Sequence, residues 1–139
     1  MMQMVEPSSE FKQAVHQALA AAARYPDDAI QYMAVHVPVY VGVNATPDQA
    51  AAGGCVKCTY LGLWAASWPG YPYAPHGSIW LFERGIRSVG GTLSENTLAV
   101  MVHEFGHALQ RDHVLEAMEQ AKARGAWAPF RGCGSCPGA

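Results

Sequence analysis

The sequence predicts an α+β fold in which helices pack on one small sheet. Three observations support this prediction: a helical pattern near the start, three short strand-like segments in the middle and two helical patterns in the last third. The chain has 139 residues, of which half are hydrophobic and 14% are charged, which is enough for one buried core. We therefore expect residues 1–139 to form a single domain with a mixed sheet of about three to four strands.

The first half of the chain contains one predicted helix and one predicted strand. Apolar residues at helical spacing predict an N-terminal helix from Ser9 to about Tyr25, where the YPDD segment ends it. Alternating apolar residues then predict a strand over residues 32–43, and Pro38 indicates an edge or a bulge. Residues 44–54, NATPDQAAAGG, are predicted to form a loop.

The second half contains two more predicted strands and two predicted helices. The strands are expected over residues 59–68 and 78–84, with a loop rich in Pro and Tyr between them. Thr92 and Glu95 have the spacing of a capping box, which predicts that a helix begins there and runs to about Leu109. The HVLEAMEQAKARGAW segment is rich in good helix formers and predicts a C-terminal helix.

The composition argues against several classes of partner. A formal net charge of −2 and a pI near 6.3 give no general electrostatic reason to bind nucleic acid or an anionic membrane. No apolar stretch has the length of a signal peptide or of a membrane-spanning helix. We therefore expect a cytoplasmic protein without a nucleic-acid or membrane partner, and the sequence leaves its oligomeric state open.

Several residues that could bind a metal ion or take part in catalysis lie in one segment, HEFGHALQRDH, residues 103–113. His103 and His107 are four residues apart, roughly 40° around a helix axis, so both rings project from one face and can reach one ion. The carboxylate of Glu104 is suited to accept a proton from a water molecule at that ion and to pass it to a leaving amine. A catalytic zinc takes three protein ligands, so one ligand remains to be found.

His113 is the first candidate for the third ligand. On an unbroken helix it would lie roughly 240° around the axis from the second histidine, so the helix must end near Leu109 and the chain must reverse at Gln110. The alternative is a glutamate of the C-terminal helix, Glu116 or Glu119, as in gluzincin-type domains, whose third ligand comes from a separate helix.

The HEFGHALQRDH segment resembles the H-E-x-x-H-x-x-G-x-x-H signature of metzincin metallopeptidases, and HEFGHAL followed by DH is most similar to the matrixin branch. The resemblance implies a zincin-like domain with zinc ligands at His103, His107 and His113 and with Glu104 as the general base. It also implies that GSIWLFERG is the strand along which an extended peptide substrate lies. Gln110 stands where the family has Gly, in a reversal whose backbone angles cost a residue with a Cβ about 1 kcal/mol or more.

Two functional hypotheses follow. The first is a zinc endopeptidase that hydrolyses a protein or peptide substrate with one catalytic zinc ion. The second is a binding or regulatory module that keeps a zincin fold without turnover, because a fold does not determine a function. Glu104 favours the enzyme, since a module without hydrolytic activity needs no carboxylate at that position.

Four cysteines form a second group with metal-ligand spacing. Cys55 and Cys58 make one C-x-x-C pair, and Cys133 and Cys136 make another. Four thiolates can close a tetrahedral structural zinc site, which would join the 55–58 loop to the C-terminus. The alternatives are two disulfides or redox-active thiols. The sequence thus predicts a second, structural zinc ion.

The remaining candidate residues carry weaker predictions. In the loop before the third strand, one of Tyr71, Tyr73 and His76 is a candidate hydrogen-bond donor to a developing oxyanion, and covering the core is the alternative. Met118 is expected to be a core side chain. The four tryptophans are expected to line the core or a cleft: Trp64, Trp68, Trp80 and Trp127.

Overall fold

The structure, a computed structural model, describes residues 6–132 of the chain, so Cys133 and Cys136 lie outside the described residues. Within this range the chain forms six helices and three strands, which confirms the predicted α+β class. In chain order they are α1 (Ser9–Ala22), α2 (Asp28–His36), β1 (Val39–Gly42), α3 (Pro47–Ala52), β2 (Gly62–Ala65), β3 (Ser78–Phe82), α4 (Glu83–Ser88), α5 (Leu93–Arg111) and α6 (Val114–Ala123).

The three strands form a mixed sheet in the order β1-β3-β2. β1 runs parallel to β3, with Tyr40 opposite Trp80, and β2 runs antiparallel to β3, with Leu63 opposite the same tryptophan. β3 is buried along its whole length, as expected for a central strand with both faces covered.

The two faces of the sheet are covered by different parts of the chain. Ile79 and Leu81 of β3 point to the helices and join the main core with side chains of α1, α2, α5 and α6. Trp80 and Phe82 point the other way and pack with Trp68. The tryptophans agree with the core prediction, since two are buried and two partly buried: Trp68, Trp80, Trp64 and Trp127.

The predicted strand over residues 32–43 is wrong for its first half. Residues up to His36 belong to α2, and the strand is limited to β1. The side chain of Asp27 accepts hydrogen bonds from the backbone N–H groups of Ala29 and Ile30, which caps α2 and favours a helix over the alternating pattern. Pro38 then disfavours helical angles at the residue before it, and the backbone becomes extended.

Other elements differ from prediction mainly at their ends. The predicted 44–54 loop contains α3, which Thr46 and Gln49 open with a reciprocal capping box. The second strand is shorter than the predicted range 59–68, and the third ends before Glu83, which begins α4. Within the described residues, no helix combines the length and the apolar character needed to cross a membrane.

The packing of α1 on the core yields a stability prediction. Phe11 is fully buried, whereas Leu115 on α6 is 53% exposed. We expect Phe11→Ala to lower the free energy of unfolding by about 3–5 kcal/mol, because it removes apolar contacts and leaves a cavity. Leu115→Ala should change it by about 0.5 kcal/mol or less. Urea unfolding of both variants measures the difference, and equal losses would contradict the described core.

Candidate metal centre

α5 brings together the three residues that the HExxH spacing singled out. The Nε2 atoms of His103 and His107 lie 3.2 Å apart. The ligand atoms of these histidines and of Glu104 all lie within 4.8 Å of one another. Two imidazole nitrogens at this separation either share a proton or direct both lone pairs at one cation. The arrangement can therefore hold a metal ion through two histidines.

The orientation of α5 follows from its apolar face. Met101, Phe105 and Ala108 are fully buried in the main core and fix the rotation of the helix about its axis. His103 is exposed and His107 is half-buried, so both rings border this face and remain open to a ligand. At the start of the helix, as predicted, Thr92 caps it, and its hydroxyl accepts a hydrogen bond from the backbone N–H three residues later.

Glu104 lies under the edge of the sheet and is 6% exposed. It packs against Gly62 of β2, where an added Cβ would stand 3.0 Å from the Glu104 Cγ atom. Glycine at this position therefore leaves room for the glutamate side chain. Burial raises the pKa of the Glu104 carboxyl to about 7, and the positive charge of Arg111 opposes part of that rise.

The environment also favours the neutral form of His107. Partial burial lowers the pKa of the His107 imidazole, and the nearby charges of His103 and Arg111 lower it further. Neutral imidazole is the form that binds a metal ion. The electrostatics of the helix are therefore compatible with a metal ligand at this position.

A cleft of about 500 Å³ opens beside Glu104, between the first half of α5 and the segment that leads into β2. Its walls are mostly apolar, with Leu61 on the side of the sheet and Ala99 and Val100 on the helix. The Tyr60 hydroxyl accepts a hydrogen bond from the backbone N–H of Cys55 and donates one to the backbone carbonyl of Ala50 in α3. Apart from the metal-centre residues, no charged side chain lines this cleft in the described structure, so an uncharged apolar group would fit there.

The strand beside the site is β2, and this corrects the substrate strand that the resemblance implied. β3, within the GSIWLFERG segment, pairs with β1 on one side and β2 on the other, so its backbone has no free edge for a peptide. In the part of the chain that the structure describes, β2 pairs with β3 alone. Gly62 of β2 lies against Glu104 and Val100 on the face of the sheet that α5 covers, so β2 is the strand that contacts the site helix here.

α5 ends later than the position near Leu109 that a zinc ligand at His113 requires. The helix continues through Gln110 to Arg111, and the backbone becomes extended at Asp112, so the predicted reversal at Gln110 is wrong. Gln110 keeps helical angles and avoids the strained turn for which the family uses Gly. His113 is 85% exposed at its side chain, and its Nδ1 atom lies 3.6 Å from the Glu116 carboxylate.

The candidates for the third ligand do not join the histidine pair in this structure. Among the described residues, the group that could hold a metal ion consists of the two α5 histidines and Glu104, and it includes neither His113 nor Glu116. Glu119 is exposed and pairs with Lys122 at 3.3 Å. Met118 is buried in the core, as expected, because α6 turns that face inward. The identity of the third ligand stays a prediction.

The structure describes one half of the predicted four-cysteine site. Cys55 and Cys58 are joined as a disulfide, with Cα atoms 5.4 Å apart, in the loop between α3 and β2. A structural zinc would need both as thiolates. The other two ligands, Cys133 and Cys136, lie outside the described residues, so the four-cysteine zinc site stays a prediction.

Of the three predicted oxyanion donors, only His76 lies near the end of the site helix. Its Nδ1 atom is 3.2 Å from the carboxylate of Asp112, the residue at which α5 ends. Tyr71 packs edge-on to Trp80 on the opposite face of the sheet, and Tyr73 is exposed. Asp112 is not among the predicted site residues, although its place between the last helical turn and His113 is visible in the sequence.

Comparison with known proteins does not assign the chain to a group: no protein-family model matches it, and a search of curated proteins finds no match. The function is therefore inferred from the residues and geometry of the α5 site.

The histidine pair predicts a measurable zinc affinity. We expect His103→Ala and His107→Ala each to weaken zinc binding by more than about 100-fold. Loss of a residue that only hydrogen-bonds to a metal ligand already lowers metal affinity by about 10–100-fold, and loss of the ligand itself should lower it further. His16→Ala is the matched control, since His16 is an exposed histidine on α1. Competition with a chromogenic chelator measures the affinity. Equal affinity in all three variants would place the zinc elsewhere.

A second set of variants identifies the third ligand. We expect His113→Ala to weaken zinc binding far more than Glu116→Ala or Glu119→Ala, because an ion that loses one of three protein ligands is held by two. Zinc titration of the three variants measures this ranking. If a glutamate variant loses zinc and His113→Ala does not, the third ligand comes from α6 and the metzincin interpretation is wrong.

Proposed function

We propose that this protein is a zinc-dependent endopeptidase of the zincin type, with His103 and His107 as zinc ligands. The observation that carries the proposal is the 3.2 Å separation of their Nε2 atoms. Two nitrogens that each lie about 2.0–2.1 Å from one zinc ion, at a tetrahedral angle, are about 3.3 Å apart. The observed spacing of the two nitrogens matches the spacing that a tetrahedral zinc site requires.

The proposed cofactor is one catalytic zinc ion. A second, structural zinc at the four-cysteine site requires that the Cys55–Cys58 disulfide is reduced, because zinc binds thiolates. The third catalytic ligand is His113, or Glu116 or Glu119 in the alternative arrangement. Zinc in a site of this kind supplies Lewis acidity, which activates a water molecule and polarises a carbonyl group.

Glu104 has the place of a general base in this proposal. Its carboxylate oxygen lies within 4.8 Å of the ligand nitrogens of both histidines, so a water molecule between them is within its reach. The carboxylate would take a proton from that water and deliver it to the leaving amine. The packing of Glu104 against Gly62 holds the side chain in place for both transfers.

The proposed substrate is an extended peptide that pairs with the free edge of β2. Backbone groups on a strand edge are a template for one more strand, and peptide-binding proteins use such edges. The cleft beside Glu104 would receive an apolar side chain next to the scissile bond, because its walls are apolar. The resemblance of HEFGHALQRDH to the metzincin signature supports the same reaction class.

One observation favours the alternative, a zincin-fold binding or regulatory module without turnover. In the described residues, the metal-binding group contains two histidines and no third histidine or separate acidic ligand. A site without a third protein ligand would hold zinc weakly and would catalyse poorly.

Substitution of Glu104, the proposed general base, distinguishes the peptidase from the binding module. We expect Glu104→Gln to reduce peptide hydrolysis by at least about 10²–10⁴-fold, because glutamine has nearly the same size but cannot accept a proton. Zinc content and melting temperature should stay close to wild type. The assay is cleavage of a denatured protein and a peptide library by wild type, Glu104→Gln, and chelated enzyme with zinc restored.

The outcomes of this assay are distinct. Equal cleavage by wild type and Glu104→Gln would show that Glu104 is not the base. Absence of cleavage by zinc-loaded wild type across the library would favour the binding module.

A further inference from the structure

Arg111 lies in line with the two site histidines. His103, His107 and Arg111 are spaced four residues apart on α5, so they occupy one face of the helix. Arg111 is the last residue of α5 and is exposed. The rise of an α-helix places its backbone about 6 Å beyond that of His107. An arginine side chain at this position can reach a ligand that already contacts the histidines.

The carboxylates nearest to Arg111 in sequence are engaged with other groups. One oxygen of Asp112 accepts the backbone N–H of His113, and the other lies 3.2 Å from the His76 ring. Glu116 pairs with the His113 ring. Within residues 6–132, no carboxylate lies within 4.0 Å of the Arg111 guanidinium, whereas Arg87 and Arg131 are paired. The positive charge of Arg111 is therefore available to an external anion.

β2 runs from the apolar cleft towards Arg111. Gly62, at its start, contacts Val100 and Glu104. Further along the strand, Trp64 donates a hydrogen bond to the backbone carbonyl of His76, whose ring lies against Asp112 at the end of α5. β2 therefore extends from the level of Glu104 towards the C-terminal end of α5, and a peptide paired with this strand would run in the same direction.

We propose that Arg111 determines substrate specificity by binding an acidic side chain of the peptide, on the opposite side of the scissile bond from the apolar residue. The inference rests on the proposed peptidase function. A guanidinium suits this role because its planar donors can bind a carboxylate with two parallel hydrogen bonds. The substrate class is thus a peptide with one apolar and one acidic residue flanking the cleaved bond.

Arg111 also has a structural role, which the test must distinguish from recognition of the peptide. A basic residue in the last turn of a helix interacts favourably with the negative end of the helix dipole. That role affects stability and does not distinguish one peptide from another. Arg111→Lys keeps the charge and the dipole interaction, whereas Arg111→Gln removes both.

The experiment uses the zinc-loaded protein and a set of quenched fluorescent peptides. Each peptide contains one fixed leucine and one variable residue, Asp, Asn or Lys, which is placed before the leucine in one series and after it in the other. We expect wild type to have a kcat/KM about tenfold higher for the Asp peptide than for the Asn peptide at low salt, with the preference weakened at high salt. Arg111→Gln should abolish the preference, Arg111→Lys should keep part of it, and Arg111→Glu should transfer it to the Lys peptide. Arg84→Gln, at an exposed arginine of α4, is the matched control.

Binding of the same peptides to the Glu104→Gln variant, measured by fluorescence polarisation, provides a second readout. Charge-dependent binding that Arg111→Glu reverses supports the inference even if wild type cleaves no peptide, in which case the peptidase proposal alone fails. Cleavage without a charge preference overturns the inference and leaves the peptidase proposal standing. No binding preference and no cleavage overturns both.

Discussion

The packing of α5 is the constraint on which the rest of the structure depends. This helix contacts α1, α2, α4, α6, β2 and β3, so most of the described elements meet along it. Its buried side chains, Met101, Phe105 and Ala108, fix its rotation. That rotation leaves His103 exposed and His107 half-buried and turns Glu104 under β2. The geometry of the site is therefore a consequence of core packing.

The sequence predicts the centre of the site well because the relevant information is local. The i, i+4 spacing of His103 and His107 places both rings on one face of any helix that includes them. The strand over residues 32–43 fails for the opposite reason: an alternating pattern there competes with a helix that Asp27 caps, and a short apolar run fits both periods. Asp27 lies in the YPDD segment and is a good N-cap residue, so this segment indicates the start of a helix as well as the end of α1.

The parts that the sequence could not predict depend on contacts between distant segments. The identity of the edge strand follows from the order in which strands pair, and β2 and β3 have similar sequence patterns. The position of His113 depends on how the chain leaves α5, and helical angles at Gln110 differ from the turn that the family signature implies. The C-terminal cysteines, Cys133 and Cys136, lie outside the described residues.

The central claim is that the two Nε2 atoms of His103 and His107 bind one zinc ion. The most direct measurement is an anomalous difference map from crystals of the zinc-loaded protein, with data on both sides of the zinc absorption edge. We expect a peak within bonding distance of both nitrogens, about 2.0–2.1 Å from each, and the same map identifies the third ligand. Zinc peaks confined to the cysteines, or none between the two histidines, would contradict it.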